Sequence, residues 1–313
     1  MKADKRSLAL ILALVLICTV LPVPAAQAAD VQPVLSAALA RQASAVPSPG
    51  YGDEWTVLGL ARGGYFTADS DYFARYYADL AAKAPELTAA SGREGALNAY
   101  KSTDNSRVIL ALSAIGRDAA QVGGCDLPAP YADFAWVSNQ GINGPIFALL
   151  ALDSRNYLPG SAVRRQCVDA ILSAECSGGG WAFGGSAADP DMTAMALQAL
   201  AAYRSEAAVA AAVTRGLDVL SAMQTGDGGF ASSGVVNAES AAQVIVACTA
   251  LGIDPDTDSR FVKDGGSAVD ALLTFYDAGA AAFRHTASGS VNSLATEQAV
   301  YALVAVSRLR RGQ

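Results

Sequence analysis

The sequence predicts an all-α protein folded as an α6/α6 toroid, six helical hairpins whose parallel inner helices are ringed by outer ones. Three observations lead there. Alanine and leucine dominate, and apolar positions recur at helical rather than strand spacing. Apolar segments return at intervals near 48 residues. Each is preceded by an amphipathic segment with a charged face.

The first 28 residues are expected to lie outside the fold. Lys2, Lys5 and Arg6 precede an apolar run over 8–21, and Ala26-Gln27-Ala28 supplies a small-x-small cleavage pattern. Residues 1–28 therefore read as a secretory signal peptide. The run is short for a span of about 20 residues, so no retained membrane anchor is expected. The mature chain should begin at Ala29, be secreted to the extracellular side, and form one toroid domain over 29–313.

Among the remaining residues, 191–200, 239–248 and 294–303 align without gaps, and 54–63, 106–115 and 143–152 match them more loosely. Their starts lie 52, 37, 48, 48 and 55 residues apart. These are the expected inner helices. Outer helices are expected near 31–44, 68–83, 131–139, 160–175, 205–223 and 260–276. A helix that is apolar nearly all round must be buried on all sides, which closure into a ring achieves. An open solenoid is the rival, and it would need polar capping repeats that neither end supplies. Glycines in Thr225–Phe230 and Cys176–Trp181 are expected to stop outer helices, with the aromatic packing back on the hairpin. Asp189-Pro190 and Asn143-Gly144-Pro145 carry helix-start chemistry.

The whole chain carries −7; the leader's Lys2, Lys5, Arg6 and Asp4 amount to +2, so the mature part stands near −9. With no basic stripe to neutralise phosphates, nucleic acid is excluded as a partner. The expected partner is an unknown small molecule or an extracellular protein, and the expected state is a monomer. Cys125, Cys167, Cys176 and Cys248 are too few for a disulfide scaffold, and with His285 the sole histidine they fit no zinc site; no metal and no cofactor are expected. A single bridge would join Cys125 to Cys167, at one end of the ring, leaving Cys248 buried and reduced; four free thiols are the alternative. Asp254, Asp256 and Asp258 lack the glycine and glutamate of a calcium loop and read as a solvated turn.

In register, the first column of the inner helices reads Glu54, Ser106, Asn143, Asp191, Glu239 and Leu294; one turn deeper stand Leu58, Leu110, Phe147, Met195, Gln243 and Gln298. A toroid would turn these into a polar mouth above an apolar throat, with Trp55, Arg107 and Glu297 at the same end. The candidate ligand-binding residues are Glu54, Trp55, Arg107, Asn143, Asp191, Met195, Glu239, Gln243, Glu297 and Gln298. Two readings stay open. First-turn carboxylates and amides serve as caps and complement the helix dipole, whereas Gln243 and Gln298 lie too deep for capping.

Arg215-Gly216-x-x-x-Leu220-x-x-x-Gln224-x-x-x-Gly228-x-Phe230 resembles the QW motif of squalene cyclases, with phenylalanine for tryptophan; Leu172, Glu175, Gly179 and Trp181 form a degenerate copy. The chain thus resembles the terpenoid cyclase and protein prenyltransferase superfamily, over nearly all of its mature length. It is also similar to exported prenyltransferase-like repeat proteins and to the helical domain of the cobalamin carriers. The resemblance implies the toroid again. It also makes Asp191, in Asp189-Pro-Asp-Met-Thr-Ala194, the counterpart of the cyclase acid. Asp191 sits where a helix dipole favours the anion, Met192 replaces a second carboxylate, and aromatics are few. The leading expectation is an exported, non-catalytic binding module; a carrier fragment without its lid domain and a degenerate cyclase using Asp191 are the alternatives.

Overall fold

The computed structural model describes residues 28–313. The expected leader lies outside the described residues except for Ala28. Six apolar helices form the inner ring: α2 (Glu54–Arg62), α4 (Ser102–Ala114), α6 (Asn143–Ser154), α8 (Pro190–Leu200), α10 (Ala238–Ala250) and α12 (Ser293–Arg310). Outside them lie α1 (Gln32–Ala45), α3 (Asp71–Ser91), α5 (Phe134–Ser138), α7 (Val163–Ser173), α9 (Ala207–Met223) and α11 (Ala268–Thr274). Each inner helix packs on the next, and α12 packs on α2, so the ring closes and the solenoid alternative falls.

Closure depends on small residues. At Gly59 of α2 an added Cβ would stand 3.1 Å from Val300 Cγ1 of α12, so the valine side chain packs directly on the α2 backbone. Thr56 Oγ1 donates to Glu297 Oε1 at 2.8 Å across the same seam. Gly144 is tighter still: a Cβ there would lie 1.7 Å from the Val137 carbonyl oxygen, which fixes how α5 sits on α6.

The outer layer departs from expectation in three places. The second outer helix runs on through Pro85 to Ser91, and beyond the proline Leu87 packs against the core, which offsets the one amide donor lost. The third is a 3-10 turn (Ala129–Ala132) followed by the single short α5. The sixth is helical only over Ala268–Thr274, since Val262–Lys263 (β3) and Gly266–Ser267 (β4) pair as a hairpin before it. Two similar hairpins, Ala231–Ser232 (β1) with Val235–Val236 (β2) and Tyr276–Asp277 (β5) with Ala282–Phe283 (β6), lead into α10 and α12.

Cys125, Cys167, Cys176 and Cys248 are all free, the second of the two cysteine readings, with Cys248 buried, and burial pushes the Cys167 thiol up to about 12. One expectation needs correction. Asp256 is not in a solvated turn. It is buried and accepts from the Ala29 amide at 2.6 Å, from Arg310 Nη2 at 2.7 Å and from the Ser267 hydroxyl. Among the described residues no helix is long and apolar enough to cross a membrane.

Candidate functional site at the mouth of the ring

At three of the inner helices capping is done by the residue two positions before the polar column. Asp189, Asn237 and Asn292 accept the Met192, Ser240 and Ala295 amides at the starts of α8, α10 and α12. Their own amides bond back to Trp181, Phe230 and Phe283, each buried at the end of the preceding hairpin. Glu239 and Asp191 therefore lie in the first turn without a capping duty. Asn143 caps nothing: it is the first residue of α6, and no side chain caps that helix.

The mouth divides into two halves. In the first, the Glu54 carboxylate is fully buried in the wall, paired with Arg107 Nε at 2.8 Å and accepting from the Gly52 amide at 2.8 Å. Burial raises its pKa despite both partners. Arg107 is only partly exposed and also lies 3.8 Å from Asp104. Burial likewise raises Glu297, which the Thr56 bond partly offsets and nearby Asp53 and Glu54 reinforce.

In the second half, Asp191, Asn143 and Met195 line one open pocket of about 600 Å³ with Phe183, Ser232 and Ser233. Asp191 does not behave as its place in a helix suggests. Burial pushes its pKa up, with Asp189 and Glu239 adding to the rise and the Ser240 and Ser232 hydroxyls opposing it. Its Oδ1 and Ser240 Oγ are buried without a partner of good geometry. Glu239 reaches His285 Nδ1 at 2.7 Å.

Below the mouth three aromatic rings close the throat. The Trp55 ring packs 6.4 Å from Phe147 and 5.8 Å from Tyr301, centroid to centroid. Gln243 donates to Gln298 at 2.9 Å, and Gln198 donates to the Tyr301 hydroxyl. The two deep glutamines thus satisfy each other, and Ser106, which is buried against Tyr131, never reaches the axis. Sequence reasoning missed His285, Thr56, Asp104 and Phe183. His285 and Phe183 sit in the irregular segments between outer and inner helices, where no repeat register exists; Thr56 and Asp104 each stand two positions from the polar column.

Five of the exposed large apolar side chains gather at this end: Tyr100, Phe183, Val235, Val236 and Leu294, just before or at the starts of α4, α8, α10 and α12. Phe183 is 79% exposed and Tyr100 74%. The mouth thus combines an acidic, partly buried floor with an apolar rim.

The described chain is an α/α toroid with that mouth. A solved structure of unsaturated glucuronyl hydrolase from Bacillus sp. GL1, described as responsible for the degradation of glycosaminoglycan, is similar to it. The TM-score is 0.59 and the identity 14%, over 90% of this chain and 97% of that one. Comparison with known protein families gave no match, and comparison with curated proteins gave none either.

Proposed function

We propose that this protein is an exported binding module that holds a hydroxyl-rich ligand, a carbohydrate, at the N-terminal mouth of its ring. The observation that carries this reading is the pocket over Asp191, where a largely buried carboxylate with an unpartnered oxygen lies below the exposed Phe183 ring. Asp191, Glu239, Glu297 and Asn143 make the mouth rich in acceptors, so a ligand must donate hydrogen bonds. Sugar hydroxyls do so, and a flat aromatic ring at the rim suits the C–H face of a sugar. A cationic amine is the competitor, since carboxylates also attract it. Titration of the secreted protein with a panel of neutral oligosaccharides and with a linear polyamine separates the two. Saccharide binding that weakens at least about tenfold in Phe183→Ala and Asp191→Asn is expected. Binding of the polyamine alone would sink the carbohydrate assignment.

A second reading is glycoside hydrolysis with Asp191 as the acid. The raised Asp191 pKa supports it, because an acid must hold its proton near neutral pH. The likeness to a glucuronyl hydrolase, at 14% identity, adds only the scaffold. Release of a chromogenic leaving group from aryl glycosides and unsaturated glucuronides, abolished in Asp191→Asn, would promote it over simple binding.

The resemblance to terpenoid cyclases rests on the QW-like segment, where Gln224 Nε2 donates to the Gly228 and Phe261 carbonyls at 2.9 and 2.8 Å and ties the end of α9 to the next outer segment. Alkene cyclisation and corrinoid carriage are disfavoured by a throat closed with Trp55, Phe147 and Tyr301. The direction of the Asp191 shift removes one objection to a cyclase, and the rings that close the throat supply a stronger one.

A further inference from the structure

The opposite end of the ring, where the inner helices finish, has its own chemistry. Carbonyls converge there, and arginines answer them. Arg155 Nη1 donates to the Arg117 carbonyl at 2.9 Å, Arg164 Nη2 to that of Leu152 at 2.9 Å, and Arg204 Nη1 to that of Leu251 at 2.8 Å. This is how cations ordinarily complement helix C-termini.

Arg62, in the last turn of α2, and Arg308, in that of α12, do something else. Among the described residues neither guanidinium donates to a carbonyl, and neither pairs with a carboxylate. Both line one pocket of about 290 Å³, whose floor includes Gln198 and Tyr301 and whose walls are Val246 and Val304. Arg62, Gln198 and Tyr301 are shared with an adjoining pocket of about 330 Å³ walled by Leu58, Leu110 and Leu150. Its one carboxylate, Asp153, is already taken by Arg164 at 2.7 Å and by the Tyr203 hydroxyl at 2.9 Å. Burial lowers the Arg308 pKa, and Arg62 and Arg311 lower it further, so the two pocket cations repel one another. Dipole complementation accounts for each arginine singly. It does not account for the exposed Arg62 and the half-buried Arg308, neither paired with a carboxylate side chain, converging on one half-apolar hollow that Gln313 also lines.

We propose that Arg62 and Arg308 form an anion site at the C-terminal mouth, taking a small organic carboxylate on a compact apolar body. A planar carboxylate matches the guanidinium fork, and the fork's donors are free to receive it. The Gln198–Tyr301 bond holds the floor, and the aliphatic walls cover the body of the ligand and exclude water, which strengthens the charge contact. An inorganic anion would use the two charges and waste the walls. This site shares no residue with the mouth over Asp191 and does not depend on its occupant.

Calorimetric titration of the mature protein with benzoate and, separately, with inorganic phosphate tests the assignment. Benzoate should bind and phosphate should bind more weakly. Arg308→Gln and Arg62→Gln should each weaken benzoate at least about tenfold, with Arg308→Lys intermediate because charge is kept and the fork lost. Arg311→Gln, an exposed neighbour outside the pocket, should change it little. The proposal is overturned if benzoate fails to bind, if phosphate binds the more tightly, or if Arg311→Gln costs as much as Arg308→Gln.

Discussion

Asp191 occupies the first turn of α8, directly after Asp189 as cap and Pro190 as the first helical residue. The helix dipole stabilises an anion there by about 0.3–1 kcal/mol, while burying a carboxylate costs several kcal/mol, so burial sets the direction of its pKa. A carboxyl whose folded pKa is raised makes its full contribution to stability below its unfolded value near 3.8 and loses it as pH rises through the raised one. Asp191→Asn should therefore raise the thermal midpoint at pH 7, and the gain should vanish as the pH falls below 4; a variant less stable than the parent at pH 7 would contradict this account. Glu54 poses the reverse problem, a buried charge that depends on its partner. Arg107→Ala should cost about 2–3 kcal/mol in urea denaturation, at the low end for a broken buried pair because Arg107 is partly exposed, and adding Glu54→Gln should recover most of it. Equal losses in the single and double variants would show that the pair contributes packing alone.

Among the elements, the inner helices were legible because a helix buried on all sides writes an unbroken apolar pattern into the chain. The three with gapless alignment also share the Asp189, Asn237 and Asn292 caps, a column two positions ahead of the polar one. The outer helices were less legible. Their length depends on how much of the ring each covers, so α3 extends past Pro85 while α5 and α11 shrink to one or two turns. The shortness of α5 is compensated by its close seat on α6, set by the missing side chain of Gly144. Gly144→Ala should cost about 2–3 kcal/mol, since the Val137 carbonyl must move to admit a methyl group. Unchanged stability would mean that α5 is free to shift outward.

At the scale of the molecule, the ring is held shut by contacts between residues far apart in the chain. Arg310 near the end of α12 pairs with Asp254 at 2.8 Å and Asp256 at 2.7 Å, and its Nη1 donates to the Ala29 carbonyl at 2.7 Å. Asp256 thus joins the first described residues to the last helix. Asp256→Asn should destabilise the fold by about 2–3 kcal/mol, and hydrogen exchange should accelerate first in 32–45 and 293–310. Uniform acceleration across all six inner helices would show that the clasp is not local to the seam.

Repetition by itself determined the α6/α6 plan, the inner helices and the end of the ring where polar groups gather, because burial and capping act on neighbours in sequence and leave a periodic trace. Tertiary structure alone decided which polar residues face the axis, that Gln243 satisfies Gln298, that aromatics from α2, α6 and α12 close the throat, and that Arg62 and Arg308 share a pocket. Each of those depends on the rotation of one helix against another, and a shift of about 100° per residue around a helix carries a side chain from axis to wall with no change in the pattern that predicted the helix.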